Sequence, residues 1–120
     1  MVTKPRKYWK DKADALWSKK IKERDRRCII CGSICNLQAH HIISRRCYST
    51  RYLLKNGATL CDVCHDKARE IGEAAFCVLL FDNIEVYEEL KTKSRELSRY
   101  FDFREAYKML RRENGKRSFL

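Results

Sequence analysis

Apolar residues recur at helical spacing over the first part of the chain. After Pro5 they fall at positions i, i+4, i+7, i+8 and i+12, which are Trp9, Ala13, Leu16, Trp17 and Ile21. Because this spacing gathers them on one side of a helix, it predicts an amphipathic helix from about Tyr8 to Arg26. The opposite side carries the basic residues Lys12, Lys19, Lys22 and Arg26. We expect Trp9 and Trp17 to pack in the core.

The segment from residue 28 to residue 62 has a different pattern. Short β-favouring runs, such as residues 28–30 and Ala39–Ile43, alternate with Gly, Ser and Asn. Runs of this length between turn-forming residues are typical of short strands. The pattern therefore predicts tight turns, a short hairpin and an irregular loop.

Helical spacing returns after residue 62. Ala68, Ile71 and Ala75 form one stripe, which predicts a helix from about Val63. Cys64 and His65 then lie in the first turn of that helix.

Two further helices are predicted in the last third of the chain. One follows a cap at Asp82-Asn83 and has on one side Ile84, Tyr87, Leu90, Ser94 and Leu97. The other begins at Asp102, because residues 102–105 match the capping-box pattern. It is expected to bury Ala106, Tyr107 and Leu110. Beyond about Asn114 we expect the chain end to fray.

The 120 residues carry an uneven positive charge. There are 27 Lys and Arg against 16 Asp and Glu, which gives a net charge of +11. Residues 1–27 hold eleven basic and four acidic side chains, so +7 of the net charge lies in this N-terminal segment. This concentration favours a polyanionic partner, and DNA is the predicted one. Charge alone is equally compatible with a solvated basic face.

Length and hydropathy predict one domain without a membrane partner. The richest apolar run, Ala74 to Phe81, is far shorter than the roughly 18 residues of a membrane span. The basic start of the chain lacks the apolar run of a signal peptide, so we expect a reducing cytoplasm. The domain divides into a basic helix (residues 1–27), a central core (28–75) and a helical tail (76–120).

Four of the seven cysteines form two pairs with a two-residue gap, Cys28 with Cys31 and Cys61 with Cys64. Such a gap lets both sulfurs of one turn reach the same ion, and Zn²⁺ prefers a tetrahedral set of four thiolates. The two pairs therefore predict a closed structural zinc site. Of the other cysteines, Cys77 is expected in the core, and Cys35 competes with Cys31 as a ligand.

All three histidines lie beside these pairs. His40 and His41 stand between them, and His65 follows directly. Imidazole titrates near neutral pH, and a divalent cation stabilises charge that develops on a phosphate. Adjacent strand residues face opposite sides, so His40 and His41 cannot point the same way without a bulge or twist. We therefore expect one of these two histidines to be a metal ligand and the other to be a general base.

The order of these motifs carries a resemblance to a known family. The chain reads Cys28-x-x-Cys31, then Leu37-Gln38-Ala39-His40-His41-Ile42, then Asn56-Gly57-Ala58-Thr59-Leu60-Cys61-x-x-Cys64-His65. Over about residues 9–65 this closely resembles the zinc-containing HNH endonucleases, particularly the small phage-type members. The resemblance implies an α+β fold in which a ββα-metal element lies in a treble-clef-like zinc scaffold, flanked by an N-terminal helix and C-terminal helices.

The resemblance also implies roles for individual residues. His41 would be the general base, and Asn56 would brace the loop and orient His41. His40 and His65 would hold a catalytic divalent cation, for which Mn²⁺, Mg²⁺, Ni²⁺ and Co²⁺ are the candidates. An imidazole-rich donor set suits Mn²⁺, Co²⁺, Ni²⁺ or Zn²⁺ better than Mg²⁺. The implied reaction is hydrolysis of DNA phosphodiester bonds, which leaves a 5′ phosphate and a 3′ hydroxyl.

Basic residues of the helix and of the central segment are the expected DNA contacts. They are Lys12, Lys19, Lys22, Arg45, Arg46 and Arg51. The arginines would clamp the scissile phosphate or contact flanking backbone, and Arg51 matches the family pattern best.

Two other functions are compatible with the same sequence. A non-catalytic zinc-stabilised DNA-binding module would need the four paired cysteines but none of the histidines. An auxiliary subunit of a phage packaging or recombination machine would need its partner for activity. The predicted function is a metal-dependent HNH endonuclease in a bacterial or phage-infected cytoplasm.

Overall fold

The computed structural model describes residues 4–96 and 100–113 of the chain. Within these ranges the fold is α+β, with two strands that form one antiparallel sheet, β1 (Gln38–His41) and β2 (Gly57–Leu60). The helices of the same ranges are α1 (Arg6–Asp25), α2 (Tyr48–Arg51), α3 (Asp62–Ile71), α4 (Glu73–Phe81), α5 (Ile84–Ser94) and α6 (Phe103–Arg112). A short 3₁₀ turn, Leu54–Asn56, leads into β2.

Two apolar clusters hold these elements together. The first lies on the side of α3, α4 and α5 and includes Ile42, Leu60, Phe76 and Leu90. The second joins α1 to α6 and contains Ala13, Trp17, Ile21, Tyr52, Phe103 and Leu110. The C-terminal helices are therefore parts of the core, because α5 completes the first cluster and α6 completes the second.

Helix α1 lies directly on the start of β2. A Cβ atom at Gly57 would come within 2.5 Å of Cδ1 of Ile21 and 2.6 Å of Cζ2 of Trp17. Only a glycine lets the strand approach the helix this closely. The hairpin and α1 therefore form one packed unit.

A buried ion pair fastens the C-terminal end of α1 to the same hairpin. The side chains of Arg24 and Asp25 are 4% and 3% exposed and lie 2.8 Å apart. Arg24 also donates to the carbonyl oxygens of Leu54 and Gly57, both at 2.8 Å. Asp25 accepts a hydrogen bond from the backbone N–H of Thr59 at 2.9 Å. The pair thus joins the end of α1 to the 3₁₀ turn and to β2.

Most predicted elements are confirmed. Helix α1 matches the predicted span within two residues, and Trp17 is buried in the core. Asn83 and Asp102 cap α5 and α6, since their side chains accept hydrogen bonds from the backbone N–H groups of Glu85 and Glu105. The first cysteine pair lies in a turn, as expected. Leu97 and the residues from Asn114 lie outside the described ranges.

The predicted stripe of Ala68, Ile71 and Ala75 is wrong. The chain breaks at Gly72, which has a φ of 89°, so α3 and α4 are separate helices. Ala68 is buried, but Ile71 is 47% exposed and Ala75 is also exposed. A change of direction at a glycine moves the later residues off the stripe that a continuous helix would form.

No helix in the described ranges is both long enough and apolar enough to cross a membrane.

Replacing Arg24 tests how much the buried pair stabilises the fold. Arg24→Ala leaves the Asp25 carboxylate buried without its cation, which we expect to lower the free energy of unfolding by about 3–5 kcal/mol. Lys19→Ala is the matched control, because Lys19 forms an exposed ion pair with Glu23 on the same helix. That control should change stability by less than about 1 kcal/mol. Urea denaturation measures both, and equal losses would contradict the assigned role of the Arg24–Asp25 pair.

Candidate metal centre and active site

Four cysteines from two separate segments meet in the structure. The Sγ atoms of Cys28, Cys31, Cys61 and Cys64 all lie within 4.8 Å of one another. Four thiolates around a tetrahedral Zn²⁺ ion lie about 3.8 Å apart, so this cluster could hold a metal such as zinc. Cys35, the competing ligand, is exposed and lies outside the cluster.

Local backbone geometry prepares both halves of the cluster. In the first half, the Gly32 N–H donates to the Cys28 carbonyl, and Gly32 has a φ of 81°, which favours glycine. In the second half, Cys61 caps α3 and its sulfur accepts a hydrogen bond from the Cys64 N–H at 3.5 Å. The Ile29 N–H donates to Thr59 of β2 at 3.1 Å, so the two halves are attached to the same hairpin.

The thiol acidities within the cluster differ. Burial opposes ionisation of Cys28, yet backbone N–H donors, led by that of Cys31, lower the pKa of its thiol to about 6. Burial raises the pKa of the Cys64 thiol to about 12. Four thiolates at these distances repel one another, and a divalent cation stabilises the fully ionised set. Metal binding at this site is therefore expected to release protons.

His40 and His65 form a second group of candidate ligands. His40 projects from β1 toward α3, and its ring centroid lies 5.0 Å from that of His65. Phe76 packs edge-on against His40 at 5.2 Å. Burial, followed by the charge of His65, lowers the pKa of His40 to about 4, which keeps its imidazole neutral. A neutral imidazole has the lone pair that a metal ligand needs.

The pair offers two donor atoms. Within residues 4–96 and 100–113, no third histidine, cysteine or carboxylate joins His40 and His65 in a three-ligand cluster. Water or a phosphate oxygen would have to supply the remaining ligands of a cation bound there.

His41 points to the opposite side of the hairpin. The strands pair without a bulge, His40 opposite Ala58 and His41 opposite Gly57, so neighbouring side chains alternate. The His41 ring stacks on Trp17 with centroids 3.9 Å apart and planes at 9°. Burial lowers the pKa of His41 to about 4, although its hydrogen bond to Arg51 opposes the shift.

The hydrogen bond of His41 defines its tautomer. Nε2 of His41 lies 3.0 Å from the carbonyl oxygen of Arg51. A carbonyl oxygen only accepts hydrogen bonds, so Nε2 carries the proton and Nδ1 retains a lone pair. His41 is therefore arranged as a neutral proton acceptor, which is the form that a general base requires.

Asn56 braces the loop that presents the Arg51 carbonyl. It is fully buried, and its Oδ1 accepts a hydrogen bond from the Ile43 N–H at 2.8 Å. Its Nδ2 donates to the carbonyl oxygens of Ile43 and Thr50 at 3.2 and 3.1 Å. Since Thr50 directly precedes Arg51, Asn56 holds the chain next to the acceptor of His41.

Arg51 does not fit the expected phosphate contact. It is 7% exposed, and its Nε and Nη2 donate to the two carboxylate oxygens of Asp14, both at 2.9 Å. Nε also lies 3.2 Å from the Tyr52 hydroxyl, and Nη1 donates to the Arg45 carbonyl oxygen at 2.8 Å. These hydrogen bonds hold α1 against the loop that follows β1, and they occupy donors that a phosphate would otherwise need. Arg45 and Arg46 are exposed and remain the candidate phosphate contacts of this segment.

Asp14 and Tyr52 are positions that the sequence patterns did not single out. The Tyr52 hydroxyl donates to Asp14 at 2.7 Å, which completes a network with Arg51. One signal was available, because Asp14 lies three residues before Trp17 and so shares the buried side of α1. The basic side of α1 is exposed as expected at Lys12, Lys19 and Lys22.

Comparisons with protein-family models, curated proteins and solved structures found no match to this chain.

Replacing one paired cysteine tests the metal centre. We expect the purified chain to contain one zinc per molecule, and Cys61→Ser to lose that zinc together with cooperative folding, because structural zinc binding and folding are coupled. Cys35→Ser is the matched control and should retain the metal and unfold within about 0.5 kcal/mol of the unmodified chain. Elemental analysis and thermal unfolding measure both variants. A folded protein without bound metal would contradict the assignment, as would loss of zinc in Cys35→Ser.

Proposed function

We propose that this chain is a metal-dependent endonuclease of the HNH type that hydrolyses DNA phosphodiester bonds. One arrangement carries the proposal. His41, a neutral imidazole whose Nδ1 retains a lone pair, adjoins His40 on β1, and the His40 ring on the opposite face lies 5.0 Å from that of His65. Hydrolysis of a phosphodiester needs a proton acceptor for the attacking water, which His41 can supply. It also needs positive charge near the phosphate, which a cation held by His40 and His65 would provide.

His41 is the proposed general base. The Arg51 carbonyl holds Nε2–H, Trp17 holds the plane of the ring, and Nδ1 accepts a proton from water. The charges of Arg51 and Arg45 oppose protonation of His41, and the Asp14 carboxylate favours it. Asn56 acts through the loop as a positioning residue.

His40 and His65 are the proposed ligands of the catalytic cation. A divalent cation, when bound, stabilises negative charge on the phosphate and on the leaving oxygen. His40 and His41 lie on opposite faces of the hairpin, and β1 has β2 as its neighbour on one edge. We propose that the phosphate binds along the other edge of β1, between the two faces. The four-cysteine cluster would hold a structural zinc that fixes the hairpin against α3.

The basic residues are the proposed DNA contacts. Lys12, Lys19 and Lys22 lie on one exposed side of α1, and Arg45 and Arg46 are exposed on the loop after β1. Phosphates attract such side chains without regard to base sequence, so we propose binding with little sequence preference.

A non-catalytic zinc-stabilised DNA-binding module is the second candidate. It is favoured by the stacking of His41 on Trp17 and by the low pKa of this histidine, about 4, which makes a weak base. In that case His41 would serve the packing of α1 on the hairpin, and the His40–His65 pair would have no catalytic role.

Single substitutions of the three histidines separate the two candidates. His41→Ala should keep the structural zinc and the affinity for a catalytic cation, yet cleave supercoiled plasmid at least about 10²-fold more slowly. His40→Ala and His65→Ala should bind Mn²⁺ more weakly and recover part of their activity in excess Mn²⁺. Plasmid cleavage and calorimetric metal titration measure these effects. If all three variants cleave at the unmodified rate, the endonuclease proposal is wrong.

The salt dependence of DNA binding tests the basic side of α1. If Lys12, Lys19 and Lys22 each neutralise one phosphate, affinity should fall about 40-fold between roughly 50 and 200 mM salt. Lys19→Gln should reduce the slope of log affinity against log salt by about 0.9. Lys93→Gln, which removes a charge from α5, is the control and should leave the slope unchanged. Fluorescence anisotropy with a labelled short duplex gives the slope for the unmodified chain and for each of the two variants. A slope that is unchanged in Lys19→Gln would exclude this contact.

A further inference from the structure

Helix α4 is apolar on every side, but only part of it is buried. Every residue after Glu73 in this helix is apolar. Phe76 and Cys77 face the core and are 2% and 0% exposed. Val78 and Leu79 are 37% and 60% exposed. A helix that is apolar all round is normally enclosed by protein, so its open side calls for a covering partner.

Exposed apolar residues lie along α4 and at both of its ends. Ala74, Ala75, Val78 and Leu79 share a side of α4 at helical spacing. Ile71, 47% exposed, precedes this helix at the Gly72 break, and Ile84, 44% exposed, begins α5 directly after the turn that ends it. We call this surface the α4 face; it consists of Ile71, Ala74, Ala75, Val78, Leu79 and Ile84.

The surroundings of the α4 face are acidic, in contrast to the rest of the chain. Residues 69–90 contain one basic and six acidic side chains, whereas the whole chain has a net charge of +11. Along α5 runs an open groove of about 540 Å³ lined by four glutamates, Thr92 and one lysine; the glutamates are Glu85, Glu88, Glu89 and Glu96, and the lysine is Lys93. Glu89 pairs with Lys55, and Glu73 of α4 pairs with Lys91, so the carboxylates of Glu85 and Glu88 are the candidate contacts for a cation. Acidic surroundings repel nucleic acid and attract a cationic partner.

We propose that the α4 face docks a basic amphipathic helix of another protein. The apolar side of such a helix would cover Val78 and Leu79, and its Lys or Arg side chains would lie against the carboxylates of α5. This surface is separate from the basic side of α1, so a protein and DNA can be bound at the same time. The proposal goes beyond the nuclease function and does not depend on it.

A second copy of this chain is a poorer occupant. Symmetric pairing through the α4 face would bring two copies of the acidic groove toward each other. Pairing with the basic helix α1 of another copy would offer few apolar side chains, since the large apolar residues of that helix, Trp9, Leu16, Trp17 and Ile21, pack in the core. Charge therefore favours a different protein.

Two synthetic peptides provide the test. Both are amphipathic helices of about five turns with the same leucine stripe, and their polar sides carry only Lys or only Glu. Fluorescence anisotropy of each labelled peptide is measured with the zinc-loaded full chain at about 0.15 M salt. We expect the Lys peptide to bind at least about tenfold more tightly than the Glu peptide. The double variant Val78→Ser/Leu79→Ser should weaken the Lys peptide at least about tenfold.

The matched control changes exposed apolar residues elsewhere. Ile34→Ser/Met109→Ser removes side chains that are 75% and 51% exposed, and it should bind the Lys peptide as the unmodified chain does. Thermal unfolding confirms that both variants remain folded. Equal affinity for the two peptides, or unchanged affinity in the Val78/Leu79 variant, would overturn the proposal. It would also be overturned if sedimentation showed a dimer that this variant dissociates, because the α4 face would then be a self-interface.

Discussion

The approach of α1 to β2 is the contact on which the rest of the structure depends. Gly57 lets the strand lie against Trp17 and Ile21, and the Arg24–Asp25 pair fastens the end of the helix to the same strand. Because Trp17 then reaches the ring of His41, the packing that forms the core also orients the candidate base. A substitution that disturbs this contact would therefore alter the geometry of the candidate site as well as the stability of the fold.

Strand geometry divides the candidate site into two halves. The alternation of side chains along β1 sends His40 toward His65 and His41 toward Trp17. Each half has its own support: α3 carries the second candidate ligand, and the loop braced by Asn56 supplies the carbonyl that binds His41. Two neighbouring residues of the same type thus have different environments and different proposed roles.

The charge of the molecule is also divided between surfaces. Lys12, Lys19 and Lys22 of α1 project into solvent, whereas Glu85, Glu88 and Glu89 lie along an open groove on α5. The break at Gly72 leaves Ile71 and the outer side of α4 exposed, so an apolar surface lies between these charged regions along the chain. The proposed DNA contacts and the proposed protein-docking surface therefore use different parts of the fold.

The sequence alone predicted the features that depend on local spacing. The α1 stripe, the caps at Asn83 and Asp102, the two cysteine pairs and the placement of Cys64 in the first turn of α3 follow from periodicity and side-chain chemistry. Tertiary structure decided what each polar group contacts. Arg51 carries the guanidinium expected of a phosphate contact, but that guanidinium donates to the carboxylate of Asp14, 37 residues away. The stripe through Ile71 likewise depended on a chain direction that changes at Gly72. Spacing along the chain reports which residues share a face, whereas partners from distant segments are set by how the elements pack.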